Sequence, residues 1–483
     1  MAQSGGEIAA KRAKLSGAGA CADADCLSAL PDDVLVLILL RLDTAAAGRT
    51  SVLSRRWRLL WALVPELRFP RAPPPDLVAA ALSAHQAALR HLLVGVDDAG
   101  PESVGAWLRF AARRLSGGLI LRNRVPEGDC SEEEELGRGA LELPCLENAT
   151  TAGLDLGFLG LAVPPAGVFA QLTELSLARV RFHGPCELGD AISSPRCPCL
   201  QKLSVRNSRG LPSLTIHSAS LLEIHLRRLY GLQKLTVVAP ALGELKLIAC
   251  FAQRRPVANI SAPQLWCLVW NDSYDPSSVE LGDLGKLRRL TTNSFYVYGP
   301  HGCIANQVFQ WLLERFQVIH DLIIQLDYPT HIGSFQYLME DFTMLPRVNS
   351  LALYVHNQGH AFGAGLFHVL RMCSDLEEMA LGLHPRNDLE VHSQCESGCV
   401  CDQPSNWKTD ELTLNHLQEV VIIDMTGTDH EVAFVKQLIN WAVKLKRMRL
   451  IYRLMSVSKV KEVHEKLISF AMPETCVSLE EYP

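Results

Sequence analysis

The triplet Leu200, Leu203 and Val205 returns as Leu221, Ile224 and Leu226, as Leu242, Leu245 and Leu247, and as Leu265, Leu268 and Trp270, at intervals of about 21 residues. This L-x-x-L-x-L template constrains the chain more than any other feature. One copy cannot bury its own apolar face, so the copies must stack as successive coils of a solenoid. A second series, Leu211, Leu214 and Ile216 followed by Leu232, Leu235 and Val237, falls midway between the first. Each coil is therefore expected to give one strand to a main sheet and a shorter extended piece to the opposite side. A helical reading of these leucines fails, because β-branched residues, Pro and Gly interrupt every candidate window.

The template also occurs at Leu172, Leu175 and Leu177, at Ile319, Leu322 and Ile324, at Val348, Leu351 and Leu353, and at Leu376, Met379 and Leu381. The later coils are longer, and their spacing predicts helices over 307–316 and 363–372. Leu77 to Leu121 reads as the opening repeats, 131–135 as an acidic loop insertion, and the C-terminal part as strands at 420–422 and 448–450 with a helix over 431–445. The residue between the last two template positions points away from the core, which puts Ser176, Ser204, His225, Lys246, Val269, Ile323 and Ala352 in one row across a concave sheet, with Arg206, Arg227 and Arg228 just beyond. A row that is basic at one end and apolar at the other suits an acidic or mixed peptide. Plain solvated strand positions are the equal alternative.

At the other end, Pro31 opens a helix whose first turn carries Asp32 and Asp33, where fixed φ and negative charge both help. Leu35, Ile38, Leu39 and Leu42 follow at helical spacing, and Leu53, Trp57 and Leu60 or Trp61 mark a second helix. So short a helical unit seldom buries this many leucines and tryptophans alone, so a partner surface is implied. The run 70–75, with Pro70, Pro73, Pro74 and Pro75, is expected to be a spacer.

With 483 residues, 48% of them hydrophobic, the chain has ample material for a large core, and its net charge of -6 argues against general nucleic-acid binding. No apolar run is long enough to span a bilayer and no signal-peptide order is present, so the sequence implies no membrane association and a place in the cytosol or nucleus. Lys11 to Lys14 is a short basic patch in a Gly/Ala-rich tail. The 15 cysteines, an odd count without framework spacing, read as reduced thiols.

Signatures of phosphate-binding loops, acyl-transfer elbows, zinc proteases and dinucleotide folds are missing. His430-Glu431 begins like a zincin pair, but Phe434 stands where the second histidine belongs, and Asp429 reads as a helix cap. Cys395, Cys399 and Cys401, with His392 and Cys373 nearby in sequence, form the one candidate metal cluster. Their spacing is not that of a zinc finger, and the expectation is a loop of free thiols with no metal and no cofactor.

The run Leu30-Pro31-Asp32-Asp33-Val34-Leu35, with Arg49-Thr50-Ser51-Val52-Leu53-Ser54-Arg55-Arg56-Trp57 and Trp61, resembles the F-box, the helical motif that grips a Skp-type linker in cullin-based ubiquitin ligases. Ala45-Ala46-Ala47 and Gly48 depart from the family pattern and weaken the implied contact. Cys399-Val400-Cys401, Trp407-Lys408, 427–432 and 445–448 resemble the FBD region of plant F-box proteins with leucine-rich repeats. The resemblance implies an α/β chain: a tail (1–25), an F-box (26–66), a Pro-rich linker and helix (67–88), a leucine-rich-repeat solenoid (89–395) and an FBD-like cap (396–483). It implies a non-catalytic substrate receptor that binds Skp, and through it a cullin, with Leu30, Pro31, Leu35, Ile38, Leu39, Leu42, Val52, Leu53, Trp57 and Trp61. Ser176, Ser204, Arg206, His225, Arg227, Lys246 and Val269 would meet an unknown client. The alternative is an interaction scaffold acting through its repeats without ligase assembly.

Overall fold

The computed structural model describes residues 29–71, 73–125, 137–184, 187–251, 255–383, 399–402, 405–452, 457–471 and 473–481. The N-terminal tail, the acidic insertion, His392 and Cys395 lie outside them. Among the described residues, nineteen strands join in one sheet whose successive coils pair in parallel.

Template positions align without a slip through the middle coils: Leu175 lies opposite Leu203, then Ile224, Leu245, Leu268 and Leu290 in turn. All six are buried. Each such side chain withdrawn from water contributes about 1.5–3 kcal/mol, and the stacked column is the main support of the fold.

Arg179 and Ala249, just past the ends of their strands, and Asn207 and Arg228, inside Lys202–Arg209 and Glu223–Tyr230, have φ of 48°, 51°, 51° and 51°. Left-handed backbone costs a non-glycine residue of order 1 kcal/mol, and here it turns the chain at the same place in each coil. The amides freed by the turn are used: Arg179 donates to the Arg206 carbonyl and Ala249 to that of Asn271, both at 3.0 Å. Asp272, also buried, accepts from the amides of Cys250 at 2.8 Å and Phe251 at 3.2 Å. Burial pushes its carboxyl up to about 6, against the downward pull of those two bonds.

The second leucine series forms a separate four-stranded parallel sheet, Ser213–His217, Lys234–Val238, Val257–Ser261 and Val279–Leu281, on the other side of the coils. Elsewhere helices replace it: Pro75–Ala84 and Pro101–Arg114 early, then Ala305–Glu314, Gly363–Leu370, Asp429–Trp441 and Val457–Phe470. Three of these match the predicted helices with shifted ends. The helix at 429 is capped by Thr428, in a reciprocal box with Glu431, and not by Asp429, which is its first helical residue. Behind it Phe362, Phe367, Trp407, Phe434 and Trp441 pack together, with ring centroids 5.3–6.3 Å apart. A Cβ on Gly363 would stand 2.5 Å from the Trp407 ring, so only glycine lets that helix approach.

The C-terminal part holds one strand and one helix more than the sequence reading gave. Cys476–Glu481 pairs with Arg447–Tyr452, and Val457–Phe470 covers the last coil with buried Val463 and Leu467. At the other end the expected spacer is corrected. Glu66–Phe69 is itself the first strand of the sheet, pairing with Leu89–Asp97, so the solenoid begins more than twenty residues before the expected position 89. The prolines form a short loop, with Pro75 as the first residue of its helix.

Candidate functional site

Three short helices, α1 (Asp32–Leu39), α2 (Thr44–Arg49) and α3 (Arg55–Leu60), build the N-terminal module. Pro31 holds the extended residue before α1. Asp43 caps α2 by accepting from the Ala46 amide at 2.6 Å, and Ser54 caps α3 through the Trp57 amide at 3.4 Å. Arg56 reaches both Asp32 and the Leu30 carbonyl at 2.5 Å, tying α3 to the head of α1. Leu35, Leu39, Ala47, Trp57, Leu60 and Val64 form a core separate from that of the solenoid.

The module therefore has two apolar faces, and the predicted partner-facing set is divided between them. Leu35, Leu39 and Trp57 are 0%, 1% and 6% exposed and hold the helices together, which corrects the expectation that they meet a partner. Leu30 and Trp61 are half-buried against the same core. Pro31, Ile38, Leu42, Val52 and Leu53 lie outside, Val52 at 83% and Leu53 at 63%. Val34, Leu37, Leu59 and Leu63, which the sequence reading missed, are exposed as well, with Leu37 at 61% and Leu59 at 64%. The signal was present: seven consecutive apolar residues, Val34 to Leu40, leave α1 no polar side.

On the main sheet the predicted row is a single ladder. Ser176, Ser204, His225, Lys246, Val269, Ile323 and Ala352 follow in that order, with Thr291, which the sequence reading did not name, between Val269 and Ile323. All of them are half-buried. The basic character expected at one end is reduced by a parallel row of acids. Glu244 binds both His225, at 2.7 Å, and Lys246, while Lys202 meets Glu223 at 2.8 Å. Partial burial disfavours the Glu244 carboxylate, but the bonds from Lys246 and His225 outweigh it and hold it below the usual range. Arg206 and Arg227, exposed and in register, carry the remaining positive charge.

A family model of the F-box domain matches residues 27–69, and a model of the leucine-rich repeats of FBD-associated F-box proteins matches 104–282. The chain therefore carries an F-box domain followed by leucine-rich repeats similar to those of FBD-associated F-box proteins. Among its relatives in Arabidopsis thaliana, At4g03220, by name an F-box/FBD/LRR-repeat protein, is 29% identical over 321 residues, 62% of each chain. The F-box/FBD/LRR-repeat protein At5g56420 is 32% identical over 221 residues, 42% of this chain and 49% of the relative. The F-box/LRR-repeat protein At3g03360 is 28% identical over 239 residues, 46% of this chain and 47% of the relative. The matches thus span less than two thirds of these relatives' own lengths.

The F-box module is bonded directly to the solenoid. The Arg68 amide donates to the buried Thr44 hydroxyl at 2.7 Å, and the His85 ring to the Val64 carbonyl at 2.8 Å. Burial lowers the His85 pKa, against the upward pull of the bond to the Val64 carbonyl. Farther along, Trp266, Lys286, Arg288, Val318 and His320 line an open hollow of about 840 Å3 beside the start of the strands Cys267–Asn271, Arg289–Tyr296 and Val318–Asp327. Of the expected cysteine cluster, Cys373 is buried elsewhere, bonded to the Val369 carbonyl at 3.5 Å. Cys399 and Cys401 instead meet His360, 39 residues upstream of Cys399, which no spacing in the sequence announced.

Proposed function

We propose that this F-box protein is the substrate-receptor subunit of a Skp-cullin-F-box ubiquitin ligase. The F-box would hold a Skp-type linker, the open sheet face would select a client protein, and other subunits would perform the transfer, promoted by the proximity they enforce. The observation that carries this reading is the outer face of the F-box: large apolar side chains, led by Val52, Leu53, Leu37 and Leu59, left in solvent on a module that already has its own core. Such a patch is the mark of a protein interface. The client would meet the row around Arg206 and Arg227 and the hollow beside Trp266, where paired charges set register and an exposed aromatic supplies an anchor. The proposed place of action is the cytosol or nucleus.

The test is co-purification of the full chain with a Skp-type linker and a cullin. We expect capture by the intact chain and its loss in the double variant Val52→Asp, Leu53→Asp, with an unchanged thermal transition. An intact chain that captures neither protein removes the ligase reading and leaves the scaffold. Proximity labelling by the intact chain, compared with one lacking residues 27–61, then separates client from linker.

A further inference from the structure

We propose that His360, Cys399 and Cys401 form a binding site for one zinc ion, with the fourth position left to water or an exogenous ligand. The ring nitrogen and the two sulfurs lie within 4.8 Å of one another, with His360 and Cys401 buried and Cys399 half-buried. Tetrahedral zinc, with Zn–S of about 2.3 Å and Zn–N of about 2.0 Å, places a nitrogen and a sulfur ligand about 3.5 Å apart. The His360 Nδ1 to Cys399 Sγ distance is 3.5 Å.

The surroundings select the ligating atoms. His360 Nε2 lies 3.3 Å from the Thr330 carbonyl, which can only accept, so Nε2 carries the proton and Nδ1 turns its lone pair toward the sulfurs. Metal-binding histidines are oriented in this way, by donating the other ring N–H to a carbonyl. A tight turn sets the ring's position: Gln358 and Gly359 are left-handed at φ 50° and 82°, the His360 amide donates to the Asn357 carbonyl at 2.8 Å, and the Asn357 side chain donates to the His360 carbonyl at 3.0 Å. The Tyr328 ring stacks on the imidazole.

The opposite side is fixed as well. Tyr298 donates its hydroxyl to the Val400 carbonyl at 3.1 Å, and the Ala361 amide donates to Cys401 Sγ at 3.4 Å, a bond that favours a thiolate there. One nitrogen and two thiolates suit zinc better than oxygen-seeking magnesium or calcium. Binding releases the two thiol protons and leaves the two thiolates and the dication with no net charge, which lowers the cost of burial. The ion would clasp 399–402, ahead of the buried Trp407, onto the coil of His360.

The test uses the full chain with Co2+ as probe. The expected result is one Co2+ per chain, with a thiolate charge-transfer band and tetrahedral visible bands, and displacement by one equivalent of Zn2+. Cys399→Ser, at a half-exposed position, should remove most of the charge-transfer band with circular dichroism unchanged, and His360→Gln should weaken binding at least tenfold. An intact chain that takes up no Co2+ overturns the proposal. So does a charge-transfer band that survives in Cys399→Ser and His360→Gln alike, which would place the metal on other thiols. Linker capture does not enter these readouts, so the site and the ligase reading fail separately.

Discussion

The F-box and the middle coils of the solenoid use the same residue types in opposite ways. In the coils the alternation is strict: Leu203, Ile224 and Leu245 point inward, and the residues between them, Ser204, His225 and Lys246, point outward. Every apolar template position there is covered by the next coil. In the F-box the helix α1 has apolar residues on both sides, and only half of them are covered. A repeat array supplies its own partner in the next coil, whereas a three-helix module has no next copy. The uncovered half of α1 is what the proposed linker would cover.

Substitutions can break this comparison in order of size. Trp57→Ala should remove about 3–5 kcal/mol from the F-box core and open that module to protease, while the solenoid keeps its own unfolding transition; loss of linker capture in this variant would then report unfolding and not a lost contact. Leu245→Ala, in the coil column, should cost about 2–5 kcal/mol in denaturant unfolding and leave linker capture intact. The outer-face pair Val52→Ala, Leu53→Ala reverses that pattern, with stability unchanged and the linker bound at least tenfold more weakly, a loss of about 1.4 kcal/mol or more read by titration calorimetry. Gly48→Ala sharpens the comparison from the other side. No atom lies within 4 Å of the added methyl, α2 is helical there, and the F-box should gain up to about 1 kcal/mol in its thermal transition. Smallest is Arg227→Glu, on the open face, which should stay within about 0.5 kcal/mol of the original stability. A larger loss would show that the open row supports the fold.

The coils were legible because their signal is local and repeated: a leucine column announces itself at every turn, and the row between its members follows from alternation alone. The F-box was legible as a module but not in its orientation. Leu35, Ile38 and Leu39 share one apolar stretch, and periodicity cannot say which side of so continuous a run meets its own core. The structure turns Leu35 and Leu39 inward and Ile38 outward. The strand Glu66–Phe69 was missed because four residues beside a proline run carry too little pattern for a strand. The partner of Cys399 and Cys401 was missed for a different reason. His360 comes to them from a turn in the preceding coil, 39 residues before Cys399, and only stacking brings the pair together.

The four residues of that first strand have a mechanical consequence. The F-box is stitched into the edge of the sheet and not hung from a tether, which restricts its swivel against the repeats. A cargo seated on the open face would be presented to a bound linker at one fixed reach and angle, as on a bracket. Which of its lysines came within range would then be decided by the geometry of the bracket, and lengthening the loop at Pro70 to Pro75 would shift the helices behind the sheet without changing that reach.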